Sequence, residues 1–119
     1  MKINIGAEFS VDPAGRYYSD GDASGEAFRE EYLLPALRKL EKGEKLTIIL
    51  DDGIESYGSS FLSEAFGGIV KHGYFDSKTL LNLIEIKFSN EEFAFFKDRI
   101  ITYVNESKFN SEKYTRSSQ

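Results

Sequence analysis

The sequence lacks cysteine and tryptophan, and it contains only two prolines, one methionine and one histidine. Without cysteine, it cannot form a disulfide framework, a thiolate metal site or a cysteine nucleophile. No apolar run approaches the roughly 18 residues that a membrane-spanning helix requires. The first residues alternate in polarity and no continuous apolar segment follows them, so we predict no signal peptide. These absences favour a cytoplasmic protein without membrane association.

The composition is that of one folded domain. The chain has 119 residues, of which 40% are hydrophobic, with ten Phe and seven Tyr, enough to build a core. A net charge of -5 without a basic stripe argues against nucleic-acid binding. Ser, Lys, Asn and Gln dominate the C-terminus. We therefore predict a domain over residues 1–106 and a flexible polar tail over residues 107–119.

Apolar patterns predict about four strands. Alternation from Lys2 to Val11 has the period of a half-buried strand. Turn residues follow it, and residues 16–18 could return as a second strand. The apolar run within residues 45–51 suits a strand covered on both faces. Residues 80–88 predict a further strand.

Three segments show the helical spacing of apolar residues. The first includes Phe28 and carries Pro35, which should kink or split the helix near Leu34. The other two include residues 61–70 and 93–104. Strands that alternate with helices predict an α/β fold with a mixed, partly parallel sheet and helices packed on it.

The first candidate site is the start of the second helix. A loop over residues 52–58 connects an apolar strand to Ser59 and Ser60, which open that helix. Free N–H groups and the helix dipole favour an anion at this position. A phosphoserine there would add a charge of about -1.5 to -2. Alternatively, one of the serines is an ordinary helix cap, because serine is a preferred capping residue.

The second candidate site lies at the start of the first helix. Arg16, Ser24, Gly25 and Arg29 could together hold a phosphate or a carboxylate. In the alternative interpretation, Glu26 and Arg29 are an ordinary surface pair three residues apart.

Catalysis and metal binding have little support, and we expect a non-enzymatic protein without a cofactor. A hydrolase would have to combine a serine with His72, the single histidine. His72 stands where a helix should end, a position typical of residues that contact terminal carbonyls. Asp51, Asp52 and Glu55 lack the spacing of a known cation-binding loop, so we predict no metal.

The segment Ile49–Leu62 resembles the core signature of STAS domains, the family of the anti-sigma factor antagonists. In that family, a strand ending in an aspartate leads to paired serines at a helix start. The resemblance implies that Ser59 corresponds to the serine phosphorylated by a partner ATPase of the histidine-kinase-like fold, and Ser60 to its neighbour. Gly58 and Phe61 stand where that family has Asp and Gly.

A closer resemblance, over roughly residues 5–72, is to bacterial STAS-like domain proteins of unknown function. It rests on four segments of this sequence: Phe9-Ser10 with Pro13–Tyr17, Ser24–Arg29, Leu34–Leu37 and Ser59–Gly68. The likeness implies a STAS-like α/β fold. Together with the STAS signature, it implies a signalling module that binds a protein partner through Tyr57, Gly58, Ser59, Ser60 and Phe61.

An alternative function is a small-ligand or nucleotide-binding domain. It would use Arg16, Ser24, Arg29 and the helix start at Ser59, provided that these groups converge on one pocket. The two interpretations therefore predict different surroundings for Ser59.

Overall fold

Three short parallel strands form the sheet at the centre of the fold. The structure is a computed structural model, and it describes residues 1–117. The strands are β1 (Lys2–Asn4), β2 (Leu46–Ile49) and β3 (Ile84–Lys87), in the order β1-β2-β3. Ile3 aligns with Ile48, and Ile48 aligns with Ile86. The α/β class is thus confirmed, but the prediction of a mixed sheet is wrong, because all the strand pairs within residues 1–117 are parallel.

Helical segments follow each strand. The α-helices are α1 (Ile5–Glu8), α2 (Gly25–Phe28), α3 (Leu34–Lys39), α4 (Ser59–Leu62), α5 (Gly68–Lys71), α6 (Ser77–Leu83) and α7 (Ala94–Glu106). Two π-helical turns, Arg29–Leu33 and Ser63–Gly67, join α2 to α3 and α4 to α5. Single 3₁₀ turns lie at Tyr18–Asp20 and Glu91–Phe93.

The crossover helices cover one face of the sheet. Because the strands lie side by side in chain order, right-handed crossovers place both connections on the same face. Ile48 and Ile86 are buried on that face, whereas Thr47 is partly exposed and Glu85 is exposed on the other. The prediction that β2 is covered on both faces is therefore wrong.

The prediction of about four strands is also wrong. The first strand ends at Asn4, whose side chain accepts a hydrogen bond from the Ala7 N–H at 3.0 Å and starts α1. Ile5 and Phe9 are one helical turn apart, so the pattern that predicted a long strand also suits a helical turn. Within residues 1–117, residues 16–18 form no strand and lead into the 3₁₀ turn.

The last predicted strand starts later than expected. The Asp76 side chain accepts a hydrogen bond from the Thr79 N–H at 2.8 Å and caps α6. Helix α6 takes residues 77–83, and β3 keeps only Ile84–Lys87. Leu80, Leu83 and Ile84 also fit helical spacing, which explains the error.

Two interrupted helices pack closely on each other over the sheet. A Cβ atom on Gly25 would lie 2.5 Å from the Phe61 carbonyl oxygen, so the approach requires glycine. The ring of Phe28 packs against Phe61 and Phe66, with centroids 5.9 and 6.1 Å apart. Leu34, just before Pro35, donates its N–H to the Arg29 carbonyl. The π-helical turn Arg29–Leu33 thus lies just before Pro35, and the helix continues through the proline as α3.

A C-terminal segment (residues 107–117) follows α7 and runs back along α5. The Asn110 N–H donates to the Val70 carbonyl at 3.0 Å, and the Glu112 N–H donates to the Lys71 carbonyl at 3.1 Å. These contacts bring residues 112–117 to the second candidate site. The flexibility of the tail stays a prediction; residues 118 and 119 lie outside the described residues.

Candidate functional site

Ser59 is the exposed first residue of α4. Gly58 is the N-cap, with extended backbone angles of φ -74° and ψ 146°, and no side chain caps the helix. Within residues 1–117, the Ser59 and Ser60 hydroxyls make no hydrogen bond that would cap it. The alternative that one of these serines is an ordinary helix cap is therefore wrong.

Ser59 borders an open cavity of about 340 Å³, which we call the Ser59 groove. Aromatic side chains form much of its lining, which consists of Tyr57, Ser59, Leu62, Phe95, Phe96, Arg99 and Tyr103. Phe95 is 56% exposed, and the Arg99 guanidinium carbon lies 5.0 Å from the Phe95 ring centroid. The groove thus places an aromatic ring, a cation and a free hydroxyl on one surface.

The residues predicted to contact a partner differ in exposure. Gly58 and Ser59 are exposed and Ser60 is partly exposed. Phe61 is fully buried, and Tyr57 is only 6% exposed at the inner wall of the groove. Tyr57 and Phe61 are therefore not exposed as predicted partner contacts would need to be, and Phe95 and Phe96 of α7 form the apolar part of the groove.

Tyr57 and Asp51 anchor the walls of the groove. The buried Tyr57 hydroxyl donates to the Leu50 carbonyl at 2.6 Å. Burial, and secondarily the Asp51 carboxylate, raise the pKa of Tyr57, so its hydroxyl remains a donor. Asp51 accepts hydrogen bonds from the N–H groups of Ser89 and Asn90, both at 2.7 Å. This contact fixes the entry to α7, the helix that supplies Phe95 and Arg99.

The second candidate site contains a cluster of ionisable side chains, which we call the ionisable cluster and define as Glu26, Arg29, Glu64, Lys71 and His72. The first three residues are buried, and the other two are partly exposed. Arg29 is fully buried, and its Nη1 donates to both the carbonyl and Oε2 of Glu64 at 2.7 Å. Its Nε donates to Glu30 at 2.8 Å. A Cβ on Gly68 would clash with the guanidinium, so this glycine makes room for the arginine.

The Glu64 carboxylate lies close to several cationic side chains. Besides Arg29, Lys71 lies 3.3 Å from Oε1 and Arg16 lies 3.6 Å from it. Burial raises the pKa of Glu64, but hydrogen bonds and charges from Arg29 and Lys71 outweigh burial and lower it overall. Glu64 is therefore a carboxylate that the fold keeps ionised while it is 2% exposed.

Glu26 joins the cluster to the C-terminal segment. Its carboxylate accepts hydrogen bonds from the Tyr18 N–H at 2.9 Å, the Tyr114 hydroxyl at 2.7 Å and the Ser117 hydroxyl at 2.5 Å. Burial raises the pKa of Glu26, but hydrogen bonds from Ser117, Tyr18 and Tyr114 lower it to about 2. The predicted surface pair of Glu26 and Arg29 is thus wrong, because both side chains are buried.

A cavity of about 230 Å³ lies between the cluster and the C-terminal segment. Arg29 lines it, and the Tyr114 ring lies over the guanidinium at 5.1 Å. Within residues 1–117, Arg29 Nη2 is buried without a hydrogen-bond partner. A buried donor of this kind costs free energy unless a water or a ligand satisfies it.

The structure brings together only part of the predicted ligand-binding set. Arg16 and Arg29 meet at Glu64, whereas Ser24 is buried and caps α2 through a hydrogen bond from the Ala27 N–H at 3.2 Å. Gly25 supports helix packing, as described above. Ser59 borders the separate groove. The predicted convergence of the first helix start with the Ser59 helix start is therefore not observed.

His72 lies at the end of α5, as predicted from its position. Its Nδ1 is 2.8 Å from the Glu112 carbonyl oxygen, and its Nε2 is 3.7 Å from Glu64 Oε2. Among residues 1–117, no serine hydroxyl is its hydrogen-bond partner, so the geometry required for a serine hydrolase is not observed.

The acidic residues after β2 make internal contacts. The Asp52 carboxylate accepts a hydrogen bond from Asn4 Nδ2 at 2.7 Å, and Asp51 holds the N–H groups named above. In the described part of the chain, no group of three or more His, Cys, Asp or Glu side chains is placed to hold a metal ion. Over the same residues, no helix has the length and apolar character needed to cross a membrane.

The fold defines the class. The chain is an α/β domain in which the second strand of a parallel sheet leads through a loop to paired serines at a helix start. The chain belongs to the family of STAS-like domains of unknown function (DUF4325), whose match covers residues 24–94. This match includes the π-helical turns and Ser59. No curated protein and no solved structure matches the chain.

Proposed function

We propose that this domain is a non-enzymatic regulatory module that binds a protein partner through the Ser59 groove. The observation that carries the proposal is the exposed Phe95 ring with Arg99 above it, beside an exposed and uncapped Ser59. Aromatic residues and arginine are enriched where proteins bind one another. The groove therefore has the residue types of a small docking surface.

Phosphorylation of Ser59 would act on the partner more than on the fold. A phosphate adds about -1.5 to -2 charge at pH 7, and here it would stand at a helix start in a groove that also contains Arg99. In the part of the chain that the structure describes, the Ser59 hydroxyl makes no hydrogen bond that the modification would break. The resemblance to anti-sigma factor antagonists supports a histidine-kinase-like ATPase as the partner class.

Site-specific photocrosslinking tests the docking surface. We would replace Phe95 with a photoreactive phenylalanine. As the control, the same photoreactive residue would replace Lys42, which is exposed outside the Ser59 groove. In a native lysate, we expect position 95 to give one dominant protein adduct. An excess of unlabelled wild-type domain should reduce the yield of this adduct, whereas an excess of the Arg99→Ala domain should not. Equal adducts from both positions, or equal competition by both domains, would contradict the proposal.

The switch has its own test with the captured partner. We expect Ser59→Asp to change partner affinity while Ser59→Ala keeps it, since only the former introduces negative charge. Circular dichroism should show the same fold for both variants. If neither variant changes the affinity, Ser59 is not a switch, although the groove remains a docking surface.

Arg29 Nη2 has no hydrogen-bond partner among residues 1–117, which favours a second candidate function, the binding of a small ligand that presents an oxygen acceptor. The 230 Å³ cavity would hold it between the cluster and the C-terminal segment. Thermal-shift measurements with acetate, inorganic phosphate and ATP test this idea, with Lys113→Ala, at an exposed lysine of the cavity lining, as the comparison. Stabilisation that weakens in Lys113→Ala supports the idea. If none of the three stabilises the domain at a concentration of about 100 μM, which is about 100 times a micromolar dissociation constant, the idea is eliminated.

A further inference from the structure

Strand β3 is an edge strand with an open outer side. It pairs with β2 on one side, and a cavity of about 290 Å³ borders all of its residues, Ile84–Lys87. Successive side chains of a strand point to opposite faces, so a cavity that touches every residue runs along the strand's edge. Within residues 1–117, no other strand pairs with this side.

The backbone groups of Ile84 and Ile86 point to that open side. The Leu50 N–H donates to the Lys87 carbonyl at 3.0 Å, so the backbone of Lys87 faces β2. In a strand, the N–H and C=O of one residue point to the same side, and those of the next residue point to the other. Glu85 therefore also faces β2, while Ile84 and Ile86 present donors and acceptors outward.

The charges of β3 complement each other when two copies pair antiparallel about Ile86. This register places Ile86 opposite Ile86, where each backbone can exchange hydrogen bonds with the other. It places Glu85 opposite Lys87 in the closer, non-hydrogen-bonded positions, where opposite charges stabilise a strand pair. The Glu85 and Lys87 side chains form an ion pair within one chain, with Oε2 and Nζ 3.8 Å apart, and they are 46% and 62% exposed, so both can also contact a second copy.

The space above the edge is apolar enough to be covered. Leu81 of α6 and Ile101 of α7 line the cavity together with the two isoleucines of β3, and Lys97 of α7 adds one cation to the lining. Open edges with such surroundings tend to pair with another strand unless charges or other chain segments block them. Here the exposed charges alternate in sign, and in the antiparallel register they attract.

We infer that β3 is a self-association edge, through which two copies of this chain join their sheets by antiparallel β3–β3 pairing about Ile86. The paired strands are short, so the contact is smaller than the roughly 1,200 Å² of a typical stable interface. The dimer is accordingly weak and depends on protein concentration. This inference concerns a surface separate from the Ser59 groove.

Sedimentation velocity of the full chain tests this pairing between about 10 μM and 1 mM, a range that covers weak association. We expect the wild type to dimerise as concentration rises. Glu85→Lys and Lys87→Glu each set like charges opposite one another at both ends of the pair. Each should weaken association about tenfold, because two attractive contacts become repulsive. The double variant Glu85→Lys/Lys87→Glu restores opposite charges and should recover dimerisation.

Lys2→Glu is the matched control. Lys2 is exposed on the same sheet face at the far edge, so its replacement changes net charge without touching the β3 pair. It should leave association unchanged, and far-UV circular dichroism should confirm that all variants fold. A wild-type chain that stays monomeric at about 1 mM overturns the inference. Failure of the double variant to recover association also overturns it, as does equal weakening by Lys2→Glu.

Discussion

The Ser59 groove and the ionisable cluster each include part of the interrupted helix that begins at Ser59, but their polar groups lie in opposite environments. Ser59 is exposed and its hydroxyl has no hydrogen-bond partner within residues 1–117, whereas Glu64, five residues later, is 2% exposed and contacts several cations. Polar groups that the fold already satisfies have little left to offer another molecule. The contrast indicates that the groove is available to a partner and that most of the cluster holds the domain together.

Removing the arginine at the centre of the cluster should have the largest effect on stability. Arg29→Ala leaves Glu64 as a buried carboxylate without its closest cation, 2.7 Å away in the wild type. We expect the free energy of unfolding to fall by about 3–5 kcal/mol, measured by urea denaturation. Arg29→Met/Glu64→Leu, which removes both charges, should recover much of this loss.

Arg99→Ala is the matched change in the groove. Arg99 is exposed, so its loss should alter the free energy of unfolding by less than about 0.5 kcal/mol. Equal losses from Arg29→Ala and Arg99→Ala would end the distinction between the two regions.

The pH dependence of the free energy of unfolding should show how much Glu26, the second buried carboxylate of the cluster, contributes to stability. The pKa of Glu26 is about 2 in the folded chain, below its ordinary value of 4.5. Its contribution is therefore complete above pH 4.5 and is lost as the pH falls from there toward 2. We expect Glu26→Gln to lower stability at pH 7 by about 2–3 kcal/mol and to flatten the pH dependence of unfolding over that range. An unchanged pH profile would show that Tyr114 and Ser117 do not hold Glu26 in solution.

A smaller effect is expected at the inner wall of the groove. Tyr57→Phe removes the 2.6 Å hydrogen bond to the Leu50 carbonyl but keeps the ring. We expect a loss of about 1–1.5 kcal/mol in thermal or urea unfolding, because a carbonyl loses its buried donor. Tyr17→Phe, at a 41% exposed tyrosine, is the control and should change stability very little.

The smallest effect on stability is expected at Ser59 itself. Ser59→Asp adds a charge to an exposed helix start, and an acidic residue there is favourable to the helix by about 0.3–1 kcal/mol. Thermal unfolding should therefore shift slightly upward or remain unchanged. A marked destabilisation would mean that Ser59 has a structural role that its exposure does not indicate.

Periodicity predicted the α/β class because alternation of strands and helices is visible in the sequence. It failed where two periods coincide: Ile5 and Phe9 suit both a strand face and a helical turn, and so do Leu80 and Ile84. In both places, a polar side chain decides the outcome by capping a helix, Asn4 in α1 and Asp76 in α6. Capping was a local signal that could have limited both strands.

The helix start at Ser59 could be predicted from the sequence, but the cluster could not. The helix start at Ser59 follows from local pattern, and the structure confirms its placement. The cluster does not, because it joins residues 35 and 91 positions apart, as in Arg29–Glu64 and Glu26–Ser117. One signal was available: Glu64 lies between Phe61 and Ala65 in an otherwise apolar helical pattern, where a charge indicates a buried partner.

The hydrogen bond between Ser117 and Glu26 has a consequence for how the chain reaches this state. Its partners are separated by 91 positions, so a nascent chain on the ribosome exposes Glu26 long before Ser117 emerges. Until then, Glu26 has the Tyr18 amide but neither Tyr114 nor Ser117 as a donor. The final set of contacts around this carboxylate is therefore a late event in biosynthesis.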